Sequence, residues 1–519
     1  MVVLAAIFEF VGAVAMGGNV ASTIRDDIVD PSKFQGQPAL LMWALLCSSV
    51  TTATWLGIAT YFELPVSTTQ ATVSALAGIG FALKGSDGVN WWCLPEEGKV
   101  VCESVVPIII SWFAAPFLSA VAANIFYVPL KYIVMRSSNS FNRTFVVLPV
   151  IVFVVITVLI AMIFNKGGDE LDKAMAKFSE GEKAGIAFGA GGAAGLIAAL
   201  LMPKLKRSIV SVYSARREHN EFIFEDDSNK EKNDEEVAGA EKTPPNETSV
   251  SIPDAKAKSN REDYTDTSSR QELSKALKFD DKERNFFGKI VYVVTSFGKW
   301  VLDYKPAYVV NSEKGMKHGV SDLHLNREDY NPMAETTLSY LQVLSAIFAA
   351  FSHGANDIAN AVGPLSGTWT LYRNGDVDAD AEQTKGILAY GAGALVLGLA
   401  LYGTRCIACL GTKLAALTPS RGLCVELGYA LVIVFAASYS LPVSTTLTQT
   451  GAVLGIGLSD RAARGVNWPV FFKIFGGWVL NVVVASLGGA AIVSIGAQSP
   501  NTKPIIQEQL SFGDGTSST

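Results

Sequence analysis

The chain has 519 residues, 49% of them apolar and only 17% charged, and its mean hydropathy is +0.30. That balance excludes a soluble protein of this length and predicts a polytopic, all-α membrane protein. The formal net charge of −6 is concentrated in one polar insertion, so it gives no argument for a nucleic-acid partner. The six cysteines match neither a disulfide framework nor a zinc site, and Cys406 and Cys409 read as packing residues at the edge of an apolar run.

At roughly 20 apolar residues per span, spans are expected at 2–20, 39–83, 105–130, 145–164 and 184–202, then at 337–364, 386–403, 422–458 and 470–493. The chain thus divides into an N-terminal membrane region, 1–203, an insertion, 204–335, a C-terminal membrane region, 336–498, and a polar tail, 499–519. Two of the spans are interrupted by one hexapeptide: Leu64 to Thr69 and Leu441 to Thr446 both read Leu-Pro-Val-Ser-Thr-Thr. At a constant offset of 377, 14 of 28 positions are identical between 64–91 and 441–468, so the chain is an internal duplication.

Proline removes a backbone donor, and a Ser-Thr-Thr cluster must find partners for its hydroxyls in hydrocarbon. A tolerated kink, with hydroxyls bonded back to carbonyls, is the bland reading of one such break. Two breaks at corresponding places in a repeat favour a site. A helix restarting at membrane depth presents free N–H groups and a positive dipole end beside hydroxyl donors, a combination suited to an anion.

Lys131, Arg136 and Arg143 lie in one acid-free loop, and Lys204, Lys206, Arg207, Arg216 and Arg217 follow the fifth span, so both places are expected to be cytosolic. Loops 85–104 and 366–384 then fall outside, whereas Arg405, Lys413, Arg421, Arg461 and Arg464 flank the second interrupted span on the inside. The two interrupted segments open to opposite faces, which is an inverted-topology repeat with a large cytosolic loop. Within the insertion, the charged tract 225–236 and the Ser-, Thr- and Lys-rich sequence to about Asp281 are expected to be disordered. Apolar residues at helical spacing predict an amphipathic helix near 286–302. Cys93 and Cys102, both outside, are candidates for a disulfide.

Ionisable groups within spans are expensive and usually functional. Three stand out: Glu9, Asp357 within His353-Gly-Ala-Asn-Asp-Ile-Ala-Asn-Ala361, and Glu426. Carboxylate and amide oxygens suit sodium, and a carboxylate can instead carry a proton. Gly354, Gly363 and Pro364 are expected to let their helix unwind and turn carbonyls towards the cation. His353 reads as a hydrogen-bonded helper more readily than as a titrating group.

The Gly-Ala-Asn-Asp-Ile-Ala-Asn-Ala run with its Gly-Pro, the doubled Pro-Val-Ser-Thr-Thr, and Phe8-Glu9-Phe10 ahead of Thr23-Ile24-Arg25 together resemble the inorganic phosphate transporter (PiT) family of sodium- or proton-coupled symporters. The resemblance covers every membrane segment. It implies that Ser67, Thr68, Thr69, Ser444, Thr445 and Thr446 bind inorganic phosphate. It further implies that Asp357, Asn360 and Asn356 hold the coupling cation, sodium or a proton equivalent, and that Glu9 and Glu426 are transport-essential acids. No other cofactor is implied. The setting implied is the lipid bilayer of the plasma membrane, where association into a homo-oligomer is compatible with such a fold.

One departure from the family pattern is that the Asn-Asp motif is expected in each half, and only the second copy is present; the repeat offset would place the other before Met1. Two further readings follow from the residues: a truncated, non-transporting phosphate sensor or interaction protein, and an intramembrane hydrolase. The latter is weak because no serine and histidine have nucleophile-and-base spacing. The favoured reading is not an enzyme.

Overall fold

A computed structural model describes residues 2–62, 64–93, 104–166, 177–238, 327–377, 385–461 and 465–497. The chain divides into two units, one of residues 1–200 with 309–519 and one of 201–308. The predicted amphipathic helix near 286–302 and the sequence from 239 to 281 lie outside the described residues.

Eleven long helices make up the described chain: α1 Val2–Asp26, α2 Pro38–Tyr61, α3 Thr68–Lys84, α4 Val105–Pro129, α5 Ser140–Lys166, α6 Glu180–Ala238, α7 Pro332–Asn374, α8 Lys385–Lys413, α9 Pro419–Ser438, α10 Thr445–Arg461 and α11 Trp468–Ala497. Eight are long and apolar enough to cross a membrane. No strand forms among the described residues beyond an isolated bridge between Val29 and Val89. Local sequence sets the boundaries. Pro38, Pro332 and Pro419 each start a helix where a missing N–H does no harm. The Asn331 side chain accepts from Met333 N at 2.9 Å at the head of α7.

Both interrupted spans are helical hairpins. The α2–α3 pair breaks at 62–67 and the α9–α10 pair at 439–444, and the short arms α3 and α10 have 17 residues each. Each arm packs against a helix from the opposite half: α3 on α11, and α10 on α4. The contacts repeat as the duplication requires. A methyl group at Gly78 would lie 2.2 Å from the Ser486 carbonyl, and one at Gly455 would lie 2.8 Å from Ala120.

Between these two bundles run α1 and the 43-residue α7, about 65 Å long at 1.5 Å per residue. Their backbones touch. A Cβ at Gly354 would meet the Glu9 carbonyl oxygen at 1.9 Å, and one at Gly12 would meet the Phe351 carbonyl oxygen at 2.1 Å. This corrects the expected unwinding of α7. The helix runs unbroken through Gly354, Gly363 and Pro364, and the glycines serve the approach of α1 instead. Pro364 still has a local effect. It has no N–H to offer the Asn360 carbonyl, which accepts from Thr72 Oγ1 at 3.4 Å instead.

The charged tract at 225–236 lies on the helical backbone of α6; it contains neither Pro nor Gly. Cys93 is disulfide-bonded; Cys102 lies outside the described residues.

The two halves differ most at the open ends of their hairpins. At the end the charge pattern makes cytosolic, Asp460 of α10 accepts from Tyr127 Oη at 2.9 Å and from Arg421 Nη2 at 2.8 Å, and pairs with Lys131 at 3.4 Å. Lys131 also reaches Glu328 at 3.1 Å, and Glu328 takes Arg136 at 2.6 Å. Lys131 and Arg421 are almost fully buried. Nearby, buried Glu335 accepts from both Ser420 N at 2.8 Å and Ser420 Oγ at 2.7 Å, capping α9. In the first half, the corresponding end of the hairpin holds Ala44, Cys47, Ile79 and Val493, with Leu83 and Ile492 packed against them. One end is therefore a buried ionic network, and the other is a hydrocarbon cluster with Trp43 Nε1 donating to the Val493 carbonyl at 3.4 Å and an exposed Lys84–Gln37 hydrogen bond of 2.8 Å beside it.

Candidate anion and cation site at the crossed hairpins

Pro65 and Pro442 stop the preceding helices, and Ser67 and Ser444 restart the chain as helix. Ser67 is extended, with φ −94° and ψ 125°, and its hydroxyl accepts from Gln70 N. Ser444 Oγ likewise accepts from Leu447 N at 3.2 Å. Each serine is thus the N-cap of a short arm, and each hydroxyl keeps its own proton to donate.

The two turns cross one another. Thr69 Oγ1 donates to the Val443 carbonyl at 3.2 Å, and Thr446 Oγ1 donates to the Val66 carbonyl at 3.4 Å. These two bonds are the same bond related by the repeat, since both pairs of residues stand at the 377 offset. Two helix N-termini therefore meet at membrane depth, each carrying a Ser-Thr-Thr cluster.

The middle of α7 lies against this crossing. Asn356 Nδ2 donates to the Val443 carbonyl at 2.7 Å. Asn360 Nδ2 donates to Thr68 Oγ1 at 3.0 Å and Thr69 Oγ1 at 3.1 Å. Thr445 Oγ1 donates to Asp357 Oδ2 at 2.8 Å. One asparagine thus engages each hairpin, and the aspartate is tied to the second. Asn360 Oδ1 is buried without a hydrogen-bond partner. An orphaned amide oxygen one turn from a carboxylate is a hard-donor pair that suits a small cation.

Nine of the eleven site residues expected from sequence meet here: Ser67, Thr68, Thr69, Ser444, Thr445, Thr446, Asn356, Asp357 and Asn360. Glu9 and Glu426 stand apart along α7. Glu9 lies on α1 with its carboxylate 3.9 Å from His353 Nδ1, and His353 Nε2 is buried with no partner. His353 is accordingly not the hydrogen-bonded helper expected of it. Glu426, on α9, accepts from Ser345 and is hydrogen-bonded to Gln342. The contacts at Ser345, His353 and Asp357 string three carboxylates along α7 over roughly 18 Å.

Sequence reading missed the residues behind the first turn. Asn481 of α11 is fully buried, donates to the Ser67 carbonyl at 2.9 Å and to Gln70 Oε1 at 3.4 Å, and accepts from Trp55 Nε1 at 2.6 Å. Trp478 Nε1 donates to the Pro65 carbonyl at 3.3 Å. The signal was present: Asn481 is a lone amide in a helix that is otherwise apolar over most of its length.

Comparisons with known proteins bear on the family and the fold. The model of the phosphate transporter family matches residues 1–489. The chain is similar to the phosphate-repressible phosphate permease of Neurospora crassa, at 30% identity over 96% of this chain and 91% of that protein. It is also similar to sodium-dependent phosphate transporter 2 of Xenopus laevis, at 25% identity over 95% and 91% of the two chains. A solved structure titled as the sodium-dependent phosphate transporter has the same fold, with a TM-score of 0.61 and 23% identity over 95% of this chain and 88% of that one. Duplicated Ser-Thr-Thr hairpins crossing at an Asn-Asp helix, in an integral membrane protein matched along nearly its whole length, lead to one conclusion: the chain belongs to the phosphate transporter family.

Proposed function

We propose that this protein is a secondary active symporter that imports inorganic phosphate with sodium, by alternating access, across the plasma membrane. The observation that carries the reading is the reciprocal pair of bonds, Thr69 to Val443 and Thr446 to Val66, beside the Asp357–Thr445 contact. Two inverted elements share one centre, and that centre contains both anion donors and a cation-binding carboxylate.

Sodium binds Asp357 and the free Asn360 oxygen, cancelling a negative charge that would otherwise repel phosphate at close range in a medium of low dielectric constant. Phosphate then accepts hydrogen bonds from the hydroxyls of Ser67, Thr68 and Ser444 and from N–H groups at the starts of α3 and α10. Each ion raises the affinity for the other, and that mutual dependence is what coupling requires. Exchange of access follows from tilting the hairpin bundles about the shared centre. The name of the Xenopus relative, sodium-dependent phosphate transporter, supports sodium over protons as the coupling ion.

The test is radiolabelled phosphate uptake by the purified chain in sealed vesicles. An inward sodium gradient should drive accumulation above equilibrium, and a pH gradient without sodium should not. Uptake driven by protons alone would reassign the coupling ion. Saturable phosphate binding without any uptake would leave a non-transporting phosphate binder.

A further inference from the structure

The two hairpin turns are equivalent by sequence but not by their attachment. Equivalent places on the supporting helices can be read from the packing: Gly455 meets Ala120 as Gly78 meets Ser486, and Asp460 meets Tyr127 as Leu83 packs on the cluster that holds Val493. In that register Trp112 of α4 stands for Trp478 of α11, and Ala115 stands for Asn481. All four are buried.

At the first turn, Trp478 holds the Pro65 carbonyl and Asn481 holds the Ser67 carbonyl, while the Trp55 indole fixes the amide from behind. At the second turn the Trp112 indole N–H has no partner, and Ala115 has no group to donate. The tie from α4 is instead Ser119 Oγ to the Thr448 carbonyl at 2.5 Å, one turn into α10 and past the break. The first turn is tied to the helix behind it, whereas the second is held from α1 and α7, where Thr23 Oγ1 donates to the Ser440 carbonyl at 2.9 Å and Asn356 Nδ2 donates to the Val443 carbonyl at 2.7 Å.

We propose that Asn481 is a positioning residue that fixes the first turn of the phosphate site to the helix behind it, a tie the second turn does without because α1 and α7 hold it. This rests on the reading of the crossed hairpins as that site. With the tie gone, the binding-competent arrangement of the first turn is populated for a smaller fraction of the time, and apparent affinity falls by that fraction. The step that switches access does not depend on that tie and keeps its rate.

The test is phosphate uptake kinetics of the full chain in vesicles, with melting temperatures taken in parallel. Asn481→Leu, close to asparagine in size but with no amide, should raise the phosphate KM roughly ten-fold and leave kcat within about two-fold. Trp55→Phe removes only the group that orients the amide, and should raise KM about three-fold even if Asn481→Leu fails to fold. Loss of kcat with unchanged KM in Asn481→Leu or Trp55→Phe would overturn the proposal, as would a parallel fall of kcat and melting temperature that marks an ordinary packing residue. If the wild-type protein shows no saturable phosphate uptake, the site reading itself fails. If the wild type saturates and the Asn481 and Trp55 variants match it, only the tie fails.

Discussion

At the scale of single residues, the proposed site divides into groups that would meet the anion and groups that would meet the cation. Asp357→Asn keeps an oxygen near Thr445 but loses the charge that attracts sodium. Uptake measured against sodium concentration should flatten, with phosphate recognition less affected; unchanged sodium dependence with weakened phosphate affinity would move Asp357 to the anion. Ser67→Ala and Ser444→Ala should each weaken phosphate binding by roughly ten-fold or more, since a charge-assisted hydrogen bond contributes about 1.5–3 kcal/mol and a decade of affinity is about 1.4 kcal/mol. Both serines also cap helices, so each change should lower stability by about 1 kcal/mol as well. Unaltered affinity in both purified variants would remove these hydroxyls from the site. A different residue tests the packing. Gly354→Ala drives a methyl group into the Glu9 carbonyl, and should reduce folded yield sharply whatever the substrate, because no flexible side chain is there to move aside.

At the scale of elements, the network at the cytosolic end has a definite pH signature. The hydrogen bond from Arg136 holds the Glu328 carboxyl down at about 2, against an ordinary value of 4.5. A depressed carboxylate stabilises the fold fully above the ordinary value, and the contribution is lost as pH falls towards the folded one. Wild type should therefore melt above Glu328→Gln at pH 7, with the gap narrowing below about pH 4.5; a gap that stays constant to pH 3 would mean that the carboxylate charge contributes nothing. Elements were also where sequence was most and least informative. The hairpin breaks were legible because proline and a hydroxyl cluster have few other uses in hydrocarbon, and a repeat doubled the signal. The pairing of α3 with α11 and of α10 with α4 was not legible, because the small residues that allow it can accept many partners. Lys131 and Arg421 were read only as markers of the inner face, since a charge near a span end gives no sign that Asp460 lies within reach. The expected unwinding of α7 failed for a related reason: glycine permits a break and permits close packing, and only the position of α1 decides between them.

For the whole molecule, the inverted repeat fixes which loops face which side. A cysteine placed at Asp87 should react with an impermeant reagent on sealed cells, and one at Asn139 should react only after permeabilisation, both positions being exposed; the reverse pattern would invert the assignment. The duplication, the number of halves and the catalogue of polar residues in spans could all be taken from the chain as written. What distinguishes the halves could not, because equivalent positions have diverged in kind: Tyr127, Asp460 and Arg421 at one open end, against Val493, Leu83 and Ala44 at the other. That divergence has a thermal consequence. Parting a hydrocarbon contact exposes apolar surface and raises heat capacity, whereas hydrating released charges and hydroxyls lowers it. In an alternating-access cycle the two half-cycles would then curve in opposite senses with temperature, so warming would shift the balance between outward-open and inward-open forms even with both gradients held at zero.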